Sequence, residues 1–73
     1  MIKELDTIAL TVDLPKIGLK AGDIGAIVMM HETKGFEVEF VTLGGETVAV
    51  VSLLPSQVRE INKWEIANAR FVA

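Results

Sequence analysis

Alternation of apolar and polar residues is clearest from Phe36 to Phe40, where Phe36, Val38 and Phe40 interleave with Glu37 and Glu39. A period of two places the three apolar side chains on one face of a strand and both glutamates on the other. The same period runs through Leu5 to Val12. Ile8, Leu10 and Val12 share one face, and Thr7, Ala9 and Thr11 share the other. That pattern predicts a half-buried strand. Ile24 to Met30 is apolar without alternation, as a strand covered on both faces would be. Thr47 to Val51 consists almost wholly of β-formers and predicts a fourth strand. Val58 to Ile61 predicts a short fifth that closes the sheet against the first.

Turn chemistry separates these runs. Asp13-Leu14-Pro15 ends the first strand, because proline cannot donate to a ladder and restricts the residue before it. Lys16 to Ala21 is then a loop, and Leu14 just before it with Ile17 and Leu19 inside it predict that it folds back on the sheet. Gly22-Asp23 closes the loop and feeds the second strand, around which the other elements are arranged. Gly25 inside that strand signals a bulge, a bend or the close approach of another backbone. Glu32-Thr33-Lys34-Gly35 predicts a hairpin turn with Gly35 left-handed, and Gly44-Gly45 a second tight turn. Pro55 stops the fourth strand, and Ser56 is placed to cap one turn of 3-10 helix.

The C-terminal segment follows another period. Ile61, Trp64, Ala67 and Phe71 fall on one helical stripe. Asn62 is placed to cap it, with Glu65 three residues later as in a capping box. A helix of about three turns is marginal in isolation, so this tail is expected to pack on the sheet, on another copy or on a partner. The expected organisation is therefore an all-β body over 1–61 and a helical tail over 62–73. Five short strands, a long first loop and a 3-10 turn before the last strand describe a small SH3-like barrel. An OB-type barrel competes less well, since Gly44-Gly45 leaves no room for a helix between the third and fourth strands.

Charge and composition change the picture in a few places. The chain has 73 residues, no cysteine and a formal net charge of −3. A disulfide framework and a cysteine zinc site are thereby excluded. Seven basic residues against ten acidic, with no basic cluster, disfavour nucleic-acid binding, which rests on Lys and Arg contacts to phosphate. The acidic excess concentrates between 36 and 61, where Glu37, Glu39, Glu46 and Glu60 face only Arg59. The N-terminus does not read as a signal peptide, and no run reaches the roughly 18 apolar residues of a membrane span. A soluble, cytoplasmic protein is the expectation.

No constellation reads as catalytic. His31 is the single histidine and lacks the further ligands a metal needs. Ser52 and Ser56 have no nucleophile-elbow context. Gly22 and Gly25 lack the Gly-Lys-Ser/Thr ending and the helix of a phosphate loop. Asp6, Asp13 and Asp23 could converge on a cation if the first loop folds back, but Asp at such positions more commonly satisfies turn amides. Neither a cofactor nor a metal is expected. Met29 and Met30 read as core and rim. Partner-binding candidates are Trp64 and Phe71 on the tail, Glu37 and Glu39 on the third strand, and Asp13 and Asp23 flanking the first loop. Trp64 and Phe71 either plug the open end of the body or form an interface, since buried aromatics carry much of interface energy.

Several of these stretches together resemble a known family. They are Leu5-Asp6-Thr7-Ile8-Ala9-Leu10-Thr11, Asp13-Leu14-Pro15, Gly18-Leu19-Lys20-Ala21-Gly22-Asp23-Ile24-Gly25, Phe36-Glu37-Val38-Glu39-Phe40 and Ser56-Gln57-Val58-Arg59. As a set they are similar to a family of small, largely cyanobacterial proteins known as the domain of unknown function numbered 4926. The likeness covers about residues 3 to 60. It implies an SH3-like barrel and no assigned activity, and it stops short of the tail. The Gly-Asp-x-Gly strand also resembles barrels that serve as accessory subunits of electron-transfer and nitrogen-fixation assemblies. It resembles too the KOW-type modules of ribosomes and transcription, although the acidic balance weighs against that comparison. The expected function is a non-catalytic protein-binding module, an accessory or antitoxin-like member of a two-protein complex, with a possible homodimer through the tail. A nucleic-acid-associated barrel is the alternative, favoured only by the fold and by Lys16, Lys20 and Lys34 near the loops.

Overall fold

The computed structural model describes residues 2–32 and 35–72. Five strands form one antiparallel sheet: β1 (Thr7–Leu10), β2 (Ile24–Met30), β3 (Phe36–Val41), β4 (Thr47–Leu53) and β5 (Val58–Glu60). Their order across the sheet is β4-β3-β2-β1-β5. The first four strands form a meander. The fifth follows a 3-10 turn over Pro55–Gln57 and returns beside β1, pairing Ile8 with Glu60 and Leu10 with Val58. The all-β expectation is borne out, including the 3-10 turn before the last strand.

Alternation along β3 fixes the core. Val38 is fully buried and Phe36 and Phe40 nearly so, while Glu37 and Glu39 lie on the opposite face. Around them pack Ile8 and Leu10 from β1, Ile27 from β2, Leu53 from β4, Val58 from β5 and Leu19 from the first loop. Leu19 reaches this core because the loop doubles back through a bridge between Leu14 and Leu19, as its apolar residues predicted. Ile17 stays 41% exposed.

Gly25 is required by proximity. A Cβ there would lie 2.7 Å from Val38 Cγ1 and 2.8 Å from Phe40 Cε1, closer than real side chains approach. The close approach is thus by core side chains rather than by backbone, and the register shift in β2 falls later, between Ile27 and Met29.

Three expectations for the strands and turns need correction. β1 ends at Leu10 rather than Val12, because the next amide, Thr11 N–H, donates to the Gln57 carbonyl outside the ladder. Val12 is left 37% exposed. β2 is not covered on both faces: Ile24, Val28, Met29 and Met30 are each at least 40% exposed. Gln57, not Ser56, caps the 3-10 turn, its Oε1 accepting from Leu54 N–H at 2.8 Å. The hairpin expected at 32–35 places Thr33 and Lys34 outside the described residues, whereas Gly35 does adopt φ +99.

The largest correction is the tail. Residues 61–72 contain a turn at Lys63-Trp64 and no helix. The capping box itself forms: Trp64 N–H donates to Asn62 Oδ1 at 2.9 Å, and Asn62 N–H donates to Glu65 Oε2 at 2.8 Å. Propagation fails because nucleation of so short a helix is unfavourable and two arginines compete for the tail. Arg59 takes the Glu65 carboxylate in a bidentate pair. Arg70 is drawn away to Asp23, 47 residues earlier.

Candidate functional site, a tail clamped across the sheet

Asp23 sits where the first loop enters β2. Its own turn fixes the carboxylate: Asp23 N–H donates to the Lys20 carbonyl at 2.9 Å, and Lys20 N–H donates back to Asp23 Oδ2 at 2.8 Å. Asp13 grips the adjacent amide, accepting from Ala21 N–H at 2.9 Å. Gly18 ends the 3-10 turn Pro15–Ile17 in the left-handed conformation, φ 75. L side chains adopt that conformation rarely, and glycine without cost. The Gly18 carbonyl and both Asp23 oxygens thereby surround one point.

Arg70 occupies that point. Its Nε donates to Asp23 Oδ1 at 2.8 Å, and its Nη2 donates to Asp23 Oδ2 at 2.5 Å and to the Gly18 carbonyl at 2.8 Å. Nη1 donates to the Phe71 carbonyl at 3.0 Å. The planar fork of arginine suits this set as a lysine ammonium would not. The guanidinium holds the Asp23 carboxyl below its ordinary pKa, against a smaller opposing effect of burial. At the other end of the tail, the Arg59 guanidinium and the Asn62 amide pull Glu65 down to about 2.

Between these two clamps the chain is bare. Ile66 to Ala69 make no hydrogen bonds among the described residues. Trp64 and Ile66 are each 94% exposed and Phe71 is 98% exposed. Trp64 and Phe71 therefore do not plug the body. The tail and the sheet enclose an apolar cleft of ≈ 550 Å³, with Leu19, Phe40 and Val48 on the sheet side and the exposed Leu43 and Phe71 at its margin.

Glu37 and Glu39 form a separate group on the outer face of β3. Glu37 Oε2 accepts from Ser52 Oγ and lies 2.7 Å from His31 Nε2. Ser52 first and His31 second hold its carboxyl below the ordinary value. Here the carboxylate stands between serine and histidine, whereas nucleophile activation requires the histidine in the middle. Glu39 Oε2 accepts from Thr47 Oγ1 at 2.8 Å. Asp6 accepts from Lys3 N–H at 2.8 Å, so Asp6, Asp13 and Asp23 each bind a turn amide. Among the described residues no three acidic or histidine side chains are grouped to hold a metal ion, and no helix is long and apolar enough to cross a membrane.

Sequence reasoning found Asp23, Trp64 and Phe71 but missed Arg59, Glu65 as its partner, and Arg70. Asn62 and Glu65 were visible as a capping pair. Nothing local links Arg70 to Asp23.

A family model, "Domain of unknown function (DUF4926)", matches residues 4–60. The match includes the Asp23 receptor and stops before the tail that fills it. No curated protein and no solved structure matches the chain.

Proposed function

We propose that this chain, which belongs to the DUF4926 family, is a non-catalytic module that works by binding another protein, as a small accessory or antitoxin-like member of a two-protein complex. Its sheet is read as an SH3-like barrel, on the strand order and the 3-10 turn before β5. One observation carries the functional reading. Trp64, Ile66 and Phe71 are 94%, 94% and 98% exposed, beside or between the clamps at Glu65 and Arg70. Isolated exposed apolar residues are ordinary, but a row of them that includes two aromatics is what interfaces use as anchors. Clamping reduces the conformational freedom the tail would lose on binding.

The test is affinity purification of the full chain from the cell that makes it. The expected result is one stoichiometric protein partner, retained by wild type and reduced at least tenfold by Trp64→Ala with Phe71→Ala. A folded wild type that retains no protein, or retains the same protein equally after both substitutions, overturns the reading.

A further inference from the structure

The receptor built by Asp23 and the Gly18 carbonyl is complete without the tail. Its carboxylate is oriented by Lys20 N–H, its loop by Asp13, and its carbonyl by the left-handed Gly18. What it accepts is a guanidinium on an extended apolar segment, the chemistry of Ala69-Arg70-Phe71-Val72. We propose that this receptor also takes Arg70 from a second copy of the chain, so that two copies exchange tails about a two-fold axis. The proposal rests on the reading of the tail as a docking element and names one occupant for it.

Three observations support exchange. First, Ile66 to Ala69 carry no hydrogen bonds among the described residues, so the path between the clamps can be rerouted without breaking any. The Arg70 bonds are the same whether the receptor is on the same copy or on the other. Second, charge is complementary. Up to Glu60 five basic residues face nine acidic ones, while beyond it Lys63 and Arg70 face only Glu65. Two bodies of that charge repel, but the tail's cation meets an acidic body in either arrangement, so exchange gives up none of this attraction. Third, the contact within one copy leaves Trp64, Ile66 and Phe71 almost fully exposed. A second body beside the crossing tails provides apolar surface to cover them. Identical bonds make the balance depend on tether against burial. A short flexible tether acts at an effective concentration of the order of mM, and apolar burial at the seam is what tips the balance towards exchange. A closed two-fold arrangement uses both receptors and leaves no open end for further growth.

A charge-swap pair tests this directly. In the Asp23→Arg chain the receptor repels its own Arg70, and in the Arg70→Asp chain the tail repels its own Asp23. Mixed together, each tail meets an opposite charge on the other chain, and only there. Sedimentation equilibrium of the mixture at about 0.1 mM, below the effective concentration of a tether, is expected to give a two-copy mass. Each variant alone gives a one-copy mass. One-copy mass in the mixture, with both variants folded by circular dichroism, overturns exchange. The wild-type chain supplies a second measurement that needs no variant to fold. Its mass is expected to rise towards two copies between about 10 μM and about 1 mM, and a one-copy mass throughout overturns the proposal. Tail-dependent capture of a different protein alongside these negative results would leave the docking reading standing without exchange. A positive mixture with no captured protein would do the reverse.

Discussion

The body up to Glu60 and the tail beyond it obey different rules. In the body, apolar side chains at a period of two turn inward, and Ile8, Ile27 and Val38 are entirely buried. In the tail no described side chain is buried, and position is set by two arginines instead. Burial is non-directional and summed over many residues, so the body tolerates the loss of any one surface contact. Two ionic clamps are few, directional and only partly shielded from solvent, so the tail can be released while the body stays folded.

Substitution in the core should separate the two regions most. Ile27→Ala removes a fully buried side chain and is expected to cost about 2–5 kcal/mol by urea denaturation. That is a large part of the roughly 4–11 kcal/mol expected for a chain of this length. Gly25→Ala pushes a methyl into Val38 and Phe40 and should cost about 1–3 kcal/mol through overpacking. If either proved neutral, the body would not be the packed unit described.

Releasing the tail should cost much less. Arg70→Ala breaks one clamp without disturbing the Asp23–Lys20 turn and is expected to lower global stability by about 1 kcal/mol or less. Amide exchange should meanwhile show the tail loosened and the strands unchanged. Trp64→Ala should change stability by no more than about 0.5 kcal/mol. For the same reason emission from Trp64, 94% exposed in the native state, should shift little when the body unfolds.

Acid offers a graded version of the same separation. Asp23 and Glu65 both have depressed carboxyl pKa values in the folded chain. Such groups stabilise fully above their unfolded values and lose that contribution as pH falls through the folded ones. For Glu65 the window runs from 4.5 down to about 2, and Asp23 loses its contribution below 3.8. The expected outcome is a change in the nitrogen-15 shift of Arg70 Nε on acidification, with core methyl signals still native. Simultaneous loss of both sets of signals would show that tail and body melt as one.

Legibility followed the same division. β3 was readable because burial leaves a period in the sequence from Phe36 to Phe40, β2 because Ile24 to Met30 is an unbroken apolar run after Gly22-Asp23, and the 3-10 turn because Pro55 stops the strand before it. β1 was read two residues too long at each end: Leu5 turns with a positive φ, and beyond Leu10 the Thr11 amide is taken by the Gln57 carbonyl, far along the chain. In the tail, Asn62 and Glu65 spelled a helix start, and their bonds form. The segment's outcome depended on Arg59 and Asp23, whose claims on it leave no pattern within the tail. Of the site, Trp64 and Phe71 were legible as apolar residues without a strand to join. The receptor was not, because a carbonyl presented by a left-handed Gly18 has no side chain to mark it.

The 47-residue separation of Asp23 and Arg70 also orders events during folding. Closing a loop of that length costs chain entropy, and β2 to β5 all lie between its ends. The turn that orients Asp23 is local, whereas the Arg70 clamp closes only after the strands have brought its two halves together, which makes it a reporter of a completed body.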